Sequence, residues 1–227
     1  MVGWIGNQVD AVIFDHDGTL VDSEAITLTL LATMAVERGA EVHVDDVERF
    51  VGSDIHIVVD EIEVRAGKPI DRDDFFAEFR SRQNDELGRE LDEVPGATAL
   101  LTALVELGVP VAVASNAPLT KMELCLGVTG LDRFFTTDRM VSAYDVGVWK
   151  PDPAVFHLAA ERLEVPIGRC AIVEDSPPGV AGAIASRAHT IALGAHDLDQ
   201  DKTARVVSSL AEAQLALLGS DGSRAEG

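Results

Sequence analysis

Basic residues are scarce in this sequence. Eighteen lysines and arginines stand against 39 aspartates and glutamates, a formal net charge of −21. Such a surface repels nucleic acid and anionic lipid, because binding to their phosphates rests on Lys and Arg. Most of the acids read as a solvated surface. Any site that binds a phosphate must therefore supply its positive charge locally. Cysteine is nearly absent as well. Cys125 and Cys170 make neither a disulfide framework nor a metal cluster, and Cys170 opens an apolar run (CAIVED) as a small core residue does. No apolar run reaches the ~18 residues of a membrane span. The opening MVGWIGNQVD lacks the basic and apolar regions of a secretory signal. The expectation is a cytoplasmic protein in a reducing compartment, with no membrane and no nucleic acid partner.

What is present is ordinary globular material. The 227 residues are 47% hydrophobic and 25% charged, enough for one large core or one core and a small second domain. Ala11 to Phe14 reads as a strand. From Asp22 to Leu91 no strand signal occurs, only helical periods that end near Gly39, Gly52 and Gly67, with Ser23, Asp45, Ser53 and Asp71 as plausible N-caps. Phe75, Phe76, Phe79 and Leu87 form an apolar stripe that reads as helix packing.

After Val94–Gly96 strands and helices alternate. The strands are VPVAVAS, a short piece at Met140–Ser142, CAIVE and HTIAL; a last helix lies near SSLAEAQLALLG, and the tail SDGSRAEG reads as disordered. Alternation predicts right-handed βαβ units on a parallel sheet, and continuous apolar strands predict a sheet covered on both faces. The first strand belongs to this later region. The expected organisation is an α/β, Rossmann-like parallel-sheet core from residues 1–22 and 94–227, with a helical-bundle cap inserted at 23–93.

Polar residues end four of the apolar runs: Asp15 and Asp17 after the first strand, Ser115 and Asn116 after VAVA, Lys150 after the piece at Ser142, and Glu174 and Asp175 after CAIV. In an open α/β sheet all lie at one edge, the edge where ligands bind. Singly each has a plain reading: Asp175 or Ser115 as a helix cap, Lys150 as a surface lysine. Together, four carboxylates at one edge repel and raise one another's pKa. A divalent cation resolves this, and an all-oxygen donor set favours Mg²⁺ over zinc.

The segments DHDGTLVDSE, ASNA, GVWKPDPAVF and VEDSPPGV resemble, in order and spacing, the four signature motifs of the haloacid dehalogenase superfamily. The helical insert resembles the cap of the branch that includes β-phosphoglucomutase and phosphoglycolate phosphatase. The stretch through SAYDVGVWKPDP looks most like sugar-phosphate phosphatases related to 6-phosphogluconate phosphatase. The resemblance implies that Asp15 is a nucleophile forming an aspartyl phosphate and that Asp17 is a general acid and base. It implies that Ser115 and Asn116 hold the phosphoryl group and that Lys150 neutralises developing charge. Asp15, Asp175, Glu174 and the backbone carbonyl of Asp17 are the implied Mg²⁺ ligands.

Gly18 and Thr19 are expected to turn the chain sharply and bring backbone N–H groups to the phosphate. His16 is expected to contribute only its backbone there, its side chain turned away from Asp15 and Asp17 by strand alternation; the family usually carries an apolar residue at this position. Trp149 reads as core packing rather than substrate stacking. Cap loops should select the substrate, with Ser53, Asp54, His56, Arg80 and Arg82 as candidates that also read as ordinary helix residues. The implied substrate is a small phosphorylated metabolite. A phosphomutase needs the same core and stays open as an alternative. Dehalogenase chemistry dispenses with the acid at Asp17, and an inactive binding scaffold fits poorly where every catalytic position is filled.

Overall fold

The computed structural model describes residues 3–42, 46, 55–194 and 204–219. The chain divides into two compact units, one of residues 1–22 and 93–227 and one of residues 23–92. The larger is built on a six-stranded parallel sheet in the order β3-β2-β1-β4-β5-β6. The strands are β1 (Ala11–Phe14), β2 (Val111–Ser115), β3 (Met140–Ser142), β4 (Cys170–Glu174), β5 (His189–Leu193) and β6 (Ala204–Val207). Every residue of β1 to β4 is buried, which is why they read as unbroken apolar runs instead of alternating ones.

The chain runs outward from β1 through β2 to β3, then crosses back to β4 beside β1 and continues to β5 and β6. The order therefore reverses between β1 and β4, the switch point at whose carboxyl ends an open α/β sheet is expected to form its ligand crevice. Helices α4 (Ala97–Glu106), α5 (Leu119–Thr129), α6 (Ala143–Val146), α7 (Ala154–Arg162), α8 (Pro177–Ser186) and α9 (Leu210–Leu218) connect and cover the sheet. One core cluster joins Ile13, Ala112, Val141 and Ile172 to Phe156 and Ala159 of α7. Cys170 lies in it as expected; both cysteines are free and buried. β6 is absent from the sequence reading. It is a four-residue edge strand, ARVV, with only Val207 buried, so neither length nor apolarity announces it.

The smaller unit holds α1 (Glu24–Glu37), α2 (Ile55–Ala66) and α3 (Arg72–Glu90). Its core gathers Leu30, Leu31, Met34, Val58, Val59, Ile62, Phe75 and Phe79, with Phe76 packed on the margin; Leu87 is buried as well. Asp71 caps α3 by accepting the Asp74 N–H at 3.1 Å. Ser23 makes no side-chain capping bond to α1 and has helical dihedrals itself. Gly39 and Gly67 follow their helices with φ of 85° and 66°, the left-handed conformation that glycine supplies without a Cβ penalty. The expected caps Asp45 and Ser53, the stop at Gly52 and the tail from Ser220 lie outside the described residues.

Candidate active site

The site is built where β1 and β4 run out side by side. The Asp15 N–H still donates to the Val173 carbonyl at 2.9 Å, so the ladder holds to the last residue before the turn. Asp15 is 6% exposed and Glu174 is fully buried. Asp15, Glu174 and Asp175 each bring a carboxylate oxygen within 4.8 Å of the others. Lys150, 7% exposed, enters from the loop after α6. Its ammonium donates to Asp15 Oδ1 and, at 2.8 Å, to Glu174 Oε1, and stands 4.9 Å from the ring centroid of Phe156. The Lys150 N–H donates to Asn116 Oδ1 at 2.9 Å, so Asn116 anchors the loop that delivers the lysine. Ser115 is buried beside it, its Oγ accepting from the Ala117 N–H at 3.0 Å. Ser142 Oγ donates to the Ala117 carbonyl at 2.7 Å, bracing the same turn from β3.

Two glycines clear space for the carboxylates. A Cβ on Gly179 would lie 1.8 Å from Glu174 Oε1, and one on Gly18 would lie 2.1 Å from Asp175 Oδ2. Gly18 also has φ of 80°, a conformation that costs an L-residue roughly 1–2 kcal/mol. The sequence reading gave Gly18 its turn but not this close approach. Thr19 Oγ1 donates to Asp175 Oδ1 at 2.6 Å. Ser176 donates to Glu174 Oε2 through its N–H at 2.7 Å and its hydroxyl at 3.0 Å. Ser176, accepting from the Gly179 N–H, is the N-cap of α8, so Asp175 is not spent on capping.

Asp17 was expected; its partner Lys121 was not. The Lys121 ammonium donates to Asp17 Oδ1 at 2.7 Å with its side chain only 16% exposed. Lys121 lies in the first turn of α5, where the helix dipole disfavours a cation. A lysine at such a position is the signal that an acid must face it. His16 corrects the alternation argument. Its ring is fully buried with Nδ1 3.3 Å from Asp17 Oδ2, because β1 ends at Phe14 and the backbone turns: the N–H groups of Leu20 and Val21 both donate back to the His16 carbonyl. Its ring nitrogens otherwise lack hydrogen-bond partners among the described residues. Trp149 is also corrected. It is 47% exposed and meets Tyr144 edge-on at 5.4 Å.

Electrostatics separate the acids. Burial pushes Asp15 up to about 8; Lys150 opposes the shift, and Glu174 and Asp175 add to it. Burial likewise pushes Asp175 up to about 7, with Glu174 adding and the Thr19 hydrogen bond opposing. For Asp17 burial also acts upward, but Lys121 and His16 outweigh it and hold the carboxyl well below its usual range. Burial would lower Lys150, yet Asp15 and Glu174 outweigh it and keep the ammonium charged. With all four carboxylates ionised, the two ammonium groups leave two negative charges uncompensated; without a cation, Asp15 and Asp175 hold protons instead. A divalent cation supplies that balance, and the oxygen-only donors suit a hard ion. The residues present therefore fit such a metal.

The expected selection residues belong to the helical unit. Ser53 and Asp54 lie outside the described residues. His56 is exposed, its ring edge-on to Phe76 at 4.7 Å. Arg80 Nε donates to the Phe76 carbonyl at 3.1 Å. Arg82 is held by Glu37 and Glu78 at 2.6 and 3.0 Å.

Residues 9–187 match the haloacid dehalogenase-like hydrolase family. The 6-phosphogluconate phosphatase of Escherichia coli is 34% identical over 179 residues, covering 78% of this chain and 79% of that one. A HAD-family hydrolase of Deinococcus radiodurans R1, solved with bound phosphate and sodium, superposes with a TM-score of 0.77 at 30% identity, over 95% of this chain and 97% of that one. A putative β-phosphoglucomutase of Thermotoga maritima superposes with a TM-score of 0.73 at 25% identity, over 88% and 94% of the two chains. Over most of its length, then, this chain belongs to the haloacid dehalogenase-like hydrolases.

Proposed function

We propose that this protein is a Mg²⁺-dependent phosphatase that hydrolyses a small sugar or polyol phosphate through an aspartyl phosphate on Asp15. The observation that carries the reading is the pairing of a buried Asp15 with Lys150 at the β1–β4 crevice, with Glu174 and Asp175 beside it. Similarity to a sugar-phosphate phosphatase supports the substrate class. Asp15 attacks phosphorus as its carboxylate. Asp17, ionised before substrate binds, takes up a proton when the phosphate dianion bound beside it opposes Lys121 and His16, and gives that proton to the departing alcohol. Asp17 then takes a proton from the water that cleaves the aspartyl phosphate, releasing inorganic phosphate.

Lys150 holds Asp15 in place and neutralises charge that develops on the phosphoryl oxygens. Ser115, Asn116 and the backbone of His16, Gly18 and Thr19 orient those oxygens. Asp15, Glu174, Asp175 and the carbonyl of Asp17 would hold Mg²⁺, whose charge lets a dianionic substrate approach a cluster of acids. Residues 23–93, with Ser53 and His56 among them, take the role of substrate-selecting cap to the 1–22 and 94–227 core. The setting is cytosolic, in keeping with two free, buried cysteines.

A screen of phosphorylated metabolites with Mg²⁺, read as phosphate release, tests the proposal. Release from hexose or polyol phosphates, lost in excess chelator, is the expected result. Likeness to the putative mutase gives the second reading an observation of its own. Hexose 1- and 6-phosphates incubated with a trace of hexose bisphosphate separate the two. Isomer interconversion that outruns phosphate release and depends on the bisphosphate would make the enzyme a mutase.

A further inference from the structure

The geometry points to Lys121 as a positioning residue for the proton transfer carried by Asp17. The two residues lie 104 positions apart in sequence and meet at 2.7 Å in a part-buried contact. The site thus gives each acid of the β1 turn its own lysine, Lys150 on Asp15 and Lys121 on Asp17. Lys121 reaches Asp17 from α5, whose first turn follows the polar end of β2. Any shift of that turn is coupled to Asp17 through the ammonium. With Oδ1 committed to Lys121, the oxygen able to carry a proton is Oδ2. His16 Nδ1 stands 3.3 Å from Oδ2, so the carboxyl is bracketed on both sides and its plane is defined.

The inference rests on the phosphatase reading and deepens it. In the first half-reaction an Asp15 oxygen forms a bond to phosphorus. The ester P–O bond breaks with its electron pair passing to the leaving oxygen, and the proton on Asp17 Oδ2 moves to that oxygen. Asp17 emerges as a carboxylate whose charge Lys121 meets. Without Lys121, the carboxyl is free to sample its other staggered rotamers and the broad torsion of its terminal group. It then presents Oδ2 to the leaving oxygen for only part of the time. The loss must fall on substrates whose leaving group needs the proton, and spare those that depart without one.

The test compares glycerol 2-phosphate, an alkyl ester, with p-nitrophenyl phosphate, whose leaving group departs as a stable anion. The quantity read is kcat/KM, which stops at the first irreversible step and so excludes hydrolysis of the aspartyl phosphate. In Lys121→Met, kcat/KM for the alkyl ester is expected to fall about 30-fold and for the aryl ester about threefold, the scale of a displaced acid–base group. Lys121→Arg keeps charge and reach; its alkyl-to-aryl ratio is expected to return close to wild type, which also covers the case in which the methionine variant does not fold. Equal losses on the two esters in Lys121→Met would assign Lys121 to phosphate binding or packing and overturn the inference, as would an alkyl-to-aryl ratio that falls about tenfold in Lys121→Arg, where charge and reach are kept. Full retention of alkyl turnover in Lys121→Met would overturn it too. A wild-type enzyme that releases phosphate neither from these esters nor from any hexose or polyol phosphate of the screen would instead defeat the phosphatase reading, and this inference with it.

Discussion

The two units use the same charged residues in opposite ways. In the α/β unit, Asp15, Asp17, Glu174, Asp175, Lys121 and Lys150 converge at the carboxyl ends of the strands, three of them (Asp15, Glu174 and Lys150) buried and the others half-buried. In the helical unit, Arg38 pairs with Glu78, Arg82 with Glu37, and Arg72 with Glu63, each at 2.6 Å on accessible helix faces. Water screens the second set, and such pairs contribute little singly. It cannot screen the first, so burial drives Asp15 and Asp175 upward while lysines fix their neighbours. The net charge of −21 therefore has no single meaning. On the helices it is a solvated surface, and at the crevice it is an arrangement that demands a cation.

The contrast is sharpest at Asp15. Asp15→Asn is nearly isosteric but cannot attack phosphorus, so turnover is expected to fall more than about 10³-fold while circular dichroism and the melting temperature stay near wild type. A variant retaining a tenth of the activity would remove Asp15 from the centre of the site.

Gly179→Ala is expected to come next. The added Cβ meets the whole Glu174 carboxylate, at 1.8 to 2.3 Å, and that group is held by both Lys150 and Ser176. Displacing it should cost about 1–3 kcal/mol of stability, as overpacking does, and should lower turnover at least about tenfold by shifting Lys150. Denaturant unfolding and steady-state kinetics measure the two effects. An alanine tolerated on both counts would mean that Glu174 has room the structure does not show.

The acids at the crevice also set a pH dependence. In the metal-free protein Asp15 and Asp175, raised from 3.8 to about 8 and about 7, keep their protons through mildly acidic pH. Their raised values favour folding below pH 4, and this contribution is lost as pH rises through 7 and 8. A ligating carboxylate must shed its proton. The gain in melting temperature from Mg²⁺ is therefore expected to grow between pH 5.5 and pH 8. A gain that is flat or falls over that window contradicts the assignment of these carboxylates to the metal.

The smallest effect belongs to the helical unit. Arg72→Gln removes ion pairs to Asp60 and Glu63 and is expected to move the melting temperature by less than about 2 °C, as exposed substitutions do. A drop of about 8 °C or more would mean that the surface charges of this unit are structural and that the contrast between the units is overdrawn.

Much of the site was legible because it sits where apolar runs stop. AVIF and CAIVE are buried along their whole length, so the first polar residue after each marks the sheet edge. Lys150 was legible from the motif around it. Lys121 belongs to no motif, and its partner is over a hundred residues away; only its awkward place at a helix N-terminus hinted at it. His16 was misread because alternation was carried past the end of β1 into a turn. Trp149 was misread because hydrophobicity alone does not tell a core ring from one displayed beside Tyr144 on the surface. β6 escaped because an edge strand with an arginine and one buried residue lacks a hydrophobic pattern. Substrate choice was the least legible, since Ser53, His56 and the arginines of the helical unit carry no spacing that chemistry requires.

The central claim is that Asp15 carries the phosphoryl group. Rapid acid quench of the enzyme turning over a sugar phosphate with Mg²⁺, followed by mass spectrometry of the peptide spanning Val12 to Glu24, tests it directly. One phosphoryl group on that peptide, localised to Asp15 and missing in Asp15→Asn, is the expected result. Steady release of phosphate with that peptide unmodified throughout, or with the phosphoryl group on another residue, would contradict the account.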